Sequence, residues 1–448
     1  VFRRLLYRNY RSSGALNRRF SGRITMVGWF VLVLTGLTAA LGADTGSSLA
    51  YQTFAFLICA VIVALIGVRF SRRTVEFERS LPKFGSAGEP MPYRMIVRNR
   101  SKATFRALSI IEEHADPRPT MEQFLNIPEP GEEKRNWFDR QFLVYRWRWL
   151  SMQNKRIEFY EVALPDLPPG ALRETEASLM PTRRGIARLA GVIVACPEPF
   201  GLFRAFRRIA APQSVLILPK RYRLPAFELP GSTKYQQGGV SMALSIGESE
   251  EFVSLREYRP GDPLRRVHWK SFAKAGKPLV KEFQDEFFVR HALVLDTFGT
   301  PQLDAAFEEA VSVAASLAYT IQDHDSLLDL MFIGPQAYCF TSGRGLARIE
   351  QILEILATVQ MCQDKGVDAL ETLVLRHLNQ MSGCLCVFLS WDEPRQNVVR
   401  LLKSRGVPLR VFVITQDERP LEPGIMADDT DNFHTLPIGK IAERLAAL

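Results

Sequence analysis

Hydrophobic and polar positions divide the chain into three successive patterns. Near its start, Ile24–Gly42 is an uncharged apolar run of 19 residues and Ser47–Val68 a second of 22. As helices rising about 1.5 Å per residue, both are long enough to cross a hydrocarbon core of about 30 Å. Only Ala43–Gly46 separates them, so residues 1–73 predict a transmembrane helical hairpin with spans at about 24–42 and 47–68. From Thr74 to Tyr222 the pattern changes to short stretches broken by Pro and Gly. Tyr93, Met95 and Val97 alternate; Ala107–Ile111, Ile157–Ala163, Gly185–Val194 and Ser214–Leu218 look alike. Such spacing predicts a β-sandwich-like domain over 74–222. Residues 116–152, Pro-rich and then charged and aromatic, read as an insertion or elaborated loop within it.

After a linker and basic segment at 223–290, strands and helices alternate. Ala292–Leu295, Leu327–Ile333, Ala337–Phe340, Cys384–Leu389 and Leu409–Ile414 read as strands. Leu303–Gln322, Leu346–Val359, Ala369–Met381, Pro394–Ser404 and Ile438–Leu448 read as helices. This alternation over 291–448 predicts an α/β doubly wound, mainly parallel sheet covered on both faces. Ligands of such sheets bind beyond the carboxyl ends of the strands. That selects the loop holding Asp296, Thr297 and Thr300, and the loop holding Ser390, Asp392 and Glu393.

Charge sharpens the first of these readings. The net charge of +9 (57 − 48) lies in residues 1–73, which hold ten Arg, no Lys and one acid, Asp44. The other 375 residues balance at 47 against 47, so the basic character is no footprint of nucleic-acid binding. Seven of the ten arginines precede the first apolar run, and Arg69, Arg72 and Arg73 follow the second. The positive-inside rule then puts both flanks, and all that follows, on the cytoplasmic face of the plasma (inner) membrane.

Candidate chemistry is sparse. Six scattered cysteines form no C-x-x-C pair and read as reduced core thiols. The six histidines show no metal or H-E-x-x-H spacing, and no phosphate-binding glycine loop or G-x-S-x-G elbow occurs. No constellation commits to a reaction, so the expected role is non-catalytic.

The chain departs most from generic scaffold at Glu250–Phe283, where eight Lys or Arg surround Tyr258, Trp269 and the turn Pro260-Gly261-Asp262-Pro263. Asp262 reads as an N-cap, Pro263 as a first helical residue and Gly276 as a stop, predicting a helix over Pro263–Ala275. Arginine and aromatic residues are the types enriched at interface hot spots. The expected partner-binding set is Arg256, Tyr258, Gly261, Asp262, Arg265, Trp269 and Lys270, with the aromatics supplying buried contact area; a solvated basic face is the plain alternative.

Leu255–Asp262 (LREYRPGD) and Val267–Phe283 (VHWKSFAKAGKPLVKEF) resemble the signature of domain of unknown function family 58. Pro181–Phe203, with its Arg-Arg-Gly and Pro-Phe-Gly-Leu-Phe elements, and Glu89–Ser101 are similar to other parts of that family. The resemblance implies a membrane-anchored protein with a von Willebrand factor A-like carboxyl-terminal domain. It also implies association with a MoxR-type AAA+ ATPase, and with a transglutaminase-like membrane protein. A von Willebrand A domain binds Mg²⁺ through Asp-x-Ser-x-Ser, a later Thr and a later Asp. Here Asp296 and Thr300 match, Phe298 replaces the first Ser, and Thr341 and Asp392 are the candidates for the later ligands. The expectation is therefore a non-catalytic, membrane-anchored adaptor with no cofactor. A metal-dependent binding module using Mg²⁺ and a membrane enzyme of envelope metabolism are the alternatives.

Overall fold

The structure, a computed structural model, describes residues 2–20, 22–42, 48–70, 74–225, 251–260, 262, 264, 267–284, 289–321, 326–342, 346–419 and 421–448. The turn at Ala43–Gly46, Arg72 and Arg73, most of the connecting segment, and Gly261, Pro263, Arg265 and Arg266 lie outside the described residues. The chain forms two units, residues 1–220 and 221–448.

The first unit opens with three helices, α1 (Phe2–Phe20), α2 (Met26–Gly42) and α3 (Ser48–Phe70). Leu49–Arg69, 21 residues within α3, is long and apolar enough to cross a membrane. The helix α2 is shorter than the apolar run that predicts it, at 17 residues, because Thr25 ends it. The Thr25 hydroxyl accepts from the Gly28 amide at 3.0 Å and donates to the Gly201 carbonyl at 2.6 Å. The Leu202 carbonyl approaches so closely that a Cβ on Gly28 would lie 2.1 Å from it. Val61 and Ala64 of α3 share a buried cluster with Leu202 and Phe203.

Nine strands follow: β1 (Val75–Ser80), β2 (Phe84–Ser86), β3 (Met91–Asn99), β4 (Leu108–His114), β5 (Ile157–Phe159), β6 (Val162–Leu164), β7 (Leu172–Pro181), β8 (Gly185–Pro197) and β9 (Arg204–Leu218). They make two sheets, ordered β1-β3-β7-β5 and β2-β9-β8-β4-β6. The first is antiparallel; the second is mixed, with β2 running parallel to β9. Alternation decides which side faces inward. Met91, Tyr93, Met95 and Val97 of β3 are buried, and they join Leu108, Ile110, Leu179, Val192 and Ile217 in one core. Inside it lies an ion pair between Arg79 and Glu112, both side chains almost fully buried. Tyr93 donates to Glu112 at 2.8 Å, and Arg79 also donates to Gln213 at 2.8 Å and to the Ala211 carbonyl at 2.6 Å.

The expected insertion at 116–152 is no irregular loop. It holds α4 (Met121–Asn126), α5 (Trp137–Phe142) and α6 (Val144–Asn154). Thr120 starts α4 with a capping box to Gln123, and Asn136 caps α5. The basic N-terminal segment supplies the partner helix: Tyr7 of α1 is buried with Phe124, Leu143 and Leu150. Tyr10 donates to the Phe142 carbonyl at 2.7 Å. Buried apolar area, not propensity, is what holds helices this short.

The second unit begins with a two-stranded antiparallel ribbon, β10 (Glu251–Glu257) and β11 (Leu279–Gln284), enclosing α7 (Trp269–Ala275). Then come β12 (Val289–Leu295), α8 (Asp304–Ile321), β13 (Ser326–Ile333), β14 (Ala337–Ser342), α9 (Leu346–Thr358), α10 (Asp368–His377), β15 (Gly383–Phe388), α11 (Glu393–Ser404), β16 (Leu409–Thr415), β17 (Phe433–Pro437) and α12 (Ile441–Ala446). Six strands form one sheet in the order β14-β13-β12-β15-β16-β17. All neighbours are parallel except the edge strand β14. Chain direction across the sheet reverses between β12 and β15, which places a topological switch point there. Leu370, Leu373 and Val374 of α10 and Val398, Val399 and Leu402 of α11 pack with Ala292, Val294, Cys384 and Cys386.

Candidate functional site

Two places in the second unit collect the residues that sequence singled out. The first is the ribbon. The helix expected over Pro263–Ala275 begins instead at Trp269, because Val267 and His268 pair with β11. Val267 bridges Val280, and the His268 amide donates to the Leu279 carbonyl at 2.8 Å. Asp262 therefore does not cap α7, whose N-cap position is His268. Both Arg256 Nη atoms donate to its two oxygens at 2.7 Å, and the Arg259 amide donates at 2.8 Å. Led by the Arg256 hydrogen bonds, these donors pull its pKa down to about 2. The pair locks the start of the turn against the end of β10. Gly276 does stop the helix, with φ of 68° in the left-handed region.

The aromatic set is split by this arrangement. Tyr258 is half-buried and its amide donates to the Pro278 carbonyl at 2.9 Å. Trp269, expected to supply contact area to a partner, is 61% exposed, and Leu264 is 66% exposed. Trp269 meets Phe272 edge to face at 6.0 Å. Lys270, Lys274 and Lys277 are exposed on the same short element or just after it. The described part of the ribbon thus presents an apolar and aromatic group among cations. Gly261 and Arg265 cannot be placed in it, since both lie outside the described residues.

The second place is the carboxyl edge of the sheet at the switch point. Asp296 ends β12 and is fully buried. One of its oxygens accepts from the Phe298 amide at 2.9 Å; the other accepts from the Leu389 amide at 2.9 Å and Arg395 Nε at 2.6 Å. Arg395, in the first turn of α11, is 6% exposed. Its Nη1 donates to Asp392 at 2.6 Å and its Nη2 to the Phe298 carbonyl at 3.0 Å. Asp392 also caps α11 through the Arg395 amide. Burial pushes the Asp296 carboxyl up, against the pull of Arg395 and the two amides.

Asp296 and Asp392 are thus brought together, but by a guanidinium. Thr341 is not brought to them. It pairs with Asp329, which pairs with Ala292, four residues back along β12 from Asp296, or about 13 Å at the usual strand rise. There its hydroxyl accepts from Arg290 at 3.0 Å. Thr300 is exposed, and Phe298 is buried with no side-chain ligand atom, its carbonyl being taken by Arg395. Among the described residues, no group of three or more His, Cys, Asp or Glu could hold a metal ion. The residues as placed do not fit the oxygen shell that Mg²⁺ requires. Arg395 escaped sequence reasoning, although its spacing of three residues from Asp392 on a helical start was the available signal.

The chain is 24% identical over 339 residues to the uncharacterized protein YeaD of Bacillus subtilis (strain 168), covering 74% of each chain. Among solved structures it matches the CARDB domain of the PF1109 protein from Pyrococcus furiosus, at 11% identity and a TM-score of 0.18, over 33% of this chain and 91% of that one. A Salmonella alpha-2-macroglobulin mutant matches at 11% identity and a TM-score of 0.19, over 35% of this chain and 8% of that one. Likeness at such scores carries no statement about fold or function. The family match is the specific finding: residues 254–418, from within β10 past the end of β16, match the model described as protein of unknown function DUF58.

Proposed function

We propose that the chain is a membrane-anchored, non-catalytic adaptor that docks a protein partner through the ribbon of β10, α7 and β11. One observation carries this reading: Trp269, Phe272 and Leu264 stand in solvent among Lys270, Lys274 and Lys277, on an element otherwise tied down by the Arg256–Asp262 pair. Large apolar side chains exposed together beside cations suit an acidic partner surface with an apolar recess. The ribbon also lies within the stretch that matches the family. A MoxR-type AAA+ ATPase is the partner we infer from the resemblance, with a transglutaminase-like membrane protein as a further member of the assembly.

The anchor in this reading is a membrane hairpin of α2 and α3. The apolar length of Leu49–Arg69, the packing of α2 beside it and the arginines at both flanks support it. The same charges put the soluble parts on the cytoplasmic face of the plasma (inner) membrane. A von Willebrand factor A-like character for the carboxyl-terminal unit is supported by its strand order, with one antiparallel edge strand and a switch point between β12 and β15.

The test is a crosslinked pull-down from native membranes with wild type and a Trp269→Ala/Lys270→Ala variant. Recovery of an AAA+ ATPase with wild type, reduced at least tenfold in the variant, is expected, since truncating a central aromatic costs about 2 kcal/mol or more. Equal recovery from both would move the interface away from α7.

A further inference from the structure

We infer that Arg395 is a built-in cation: it fills the position at the carboxyl edge of the sheet that a divalent ion would need, so the α/β unit engages its ligands without a metal.

Four observations converge on this. Asp296 has no oxygen to spare, because both accept hydrogen bonds from within the protein and one of them accepts two. Arg395 is equally committed, with Nε, Nη1 and Nη2 directed to Asp296, Asp392 and the Phe298 carbonyl. Two of the other oxygens that a metal shell would draw on are lost: the Phe298 side chain has none, and Thr341 is held by Arg290 well back along the sheet. Charge supplies the fourth argument. The buried Asp296–Arg395 pair is already balanced, with side chains 1% and 7% exposed. A divalent ion placed there would face the guanidinium at a few ångströms in a site from which water is excluded, where like charges repel strongly.

The arrangement has a structural consequence. A metal can leave and return; a side chain cannot. Arg395 ties the loop after β12 to the loop after β15 and to the start of α11, so the edge keeps one geometry whatever the ion supply. Arg395 here is a positioning residue, and its role is read by ion binding and by charge pairing rather than by partner capture alone.

The experiment uses the full chain in detergent. Mn²⁺ is titrated into wild type and Asp296→Asn while the free-ion signal is followed by electron paramagnetic resonance. Wild type and Asp296→Asn are expected to leave the same free-ion signal. Any ion bound equally by both sits elsewhere and leaves the edge metal-free, as inferred. Mn²⁺ bound by wild type and lost in Asp296→Asn overturns the inference. Thermal unfolding gives the second reading. Arg395→Ala should lower Tm by several degrees, and the double variant Arg395→Ala/Asp296→Asn should recover part of that loss, because the stranded charge is gone. No recovery in the double variant would count against charge pairing. Should Arg395→Ala fail to fold, Arg395→Lys, expected to melt between wild type and unfolded, replaces it in the same cycle; its melting unchanged from wild type would also count against the role given to the guanidinium.

Discussion

His434 illustrates how a single side chain sets a pH limit. It stacks on Phe412 with centroids 5.3 Å apart, and its Nε2 is buried without a hydrogen-bond partner. Burial first, and Arg410 second, hold its pKa down to about 4 from 6.5. The folded chain thus keeps the ring neutral where the unfolded chain takes up a proton. The stability it contributes is complete above about pH 6.5 and is lost as the pH falls from there towards 4. After allowance for its partial exposure, the loss should be about 1–2 kcal/mol. His434→Phe should flatten that part of the curve, as checked by urea unfolding of both chains at pH 7 and 4.5. An equal slope in both would remove His434 from the account. Residue chemistry of this kind was only partly legible in the sequence. The residue types at the ribbon are legible as cationic and aromatic, but type does not fix exposure: sequence leaves Trp269 open to the core or the surface, and it stands at the surface. Arg395 was overlooked because its partners meet it only after two loops converge.

At the scale of elements, legibility followed the strength of the apolar pattern. The strands β12, β13, β15 and β16 each carry a mostly apolar core, such as Ala292–Leu295 and Val411–Ile414, because strands buried on both faces have little polar side to show. The strand β17, with Phe433, His434 and Thr435 half-exposed, carries no such run and was missed. Helices α4 to α6 were hidden by Pro and charge, and α1 by its arginines; each is stabilised by the aromatic cluster they form together, which is a property of no single segment. The shortened α7 shows a tertiary pairing overriding a local start signal, as Val267 joined β11 instead of a helix. In the two-sheet core of the first unit, the Arg79–Glu112 pair is the corresponding hidden feature, since neither charge signals burial. Arg79→Leu strands the Glu112 charge and should cost about 3–5 kcal/mol. Arg79→Leu/Glu112→Leu should recover much of it. Denaturant unfolding of the three chains measures both quantities, and a single variant as stable as wild type would disprove the burial argument.

For the whole molecule, the distribution of charge is the decisive feature. Ten arginines flank two apolar runs, and everything after residue 73 is balanced. If the arginines set the topology, a fluorescent protein fused after Leu448 should light up, and alkaline phosphatase fused there should be inactive. Moving the fusion into the turn between α2 and α3 should reverse both results. Phosphatase activity at Leu448 would place the soluble units on the other side and refute the cytoplasmic assignment.

The turn between β8 and β9 carries a mechanical consequence. Its Leu202 carbonyl sits over Gly28, its Gly201 carbonyl holds Thr25, and its Phe203 side chain is wedged beside α3. The helix pair is therefore fastened to the sheets of the first unit by contact as well as by covalent chain. With a backbone carbonyl against Gly28 and a hydroxyl anchor at Thr25, the turn cannot shift without moving the start of α2 with it. In this respect the unit is a lever and not a tether.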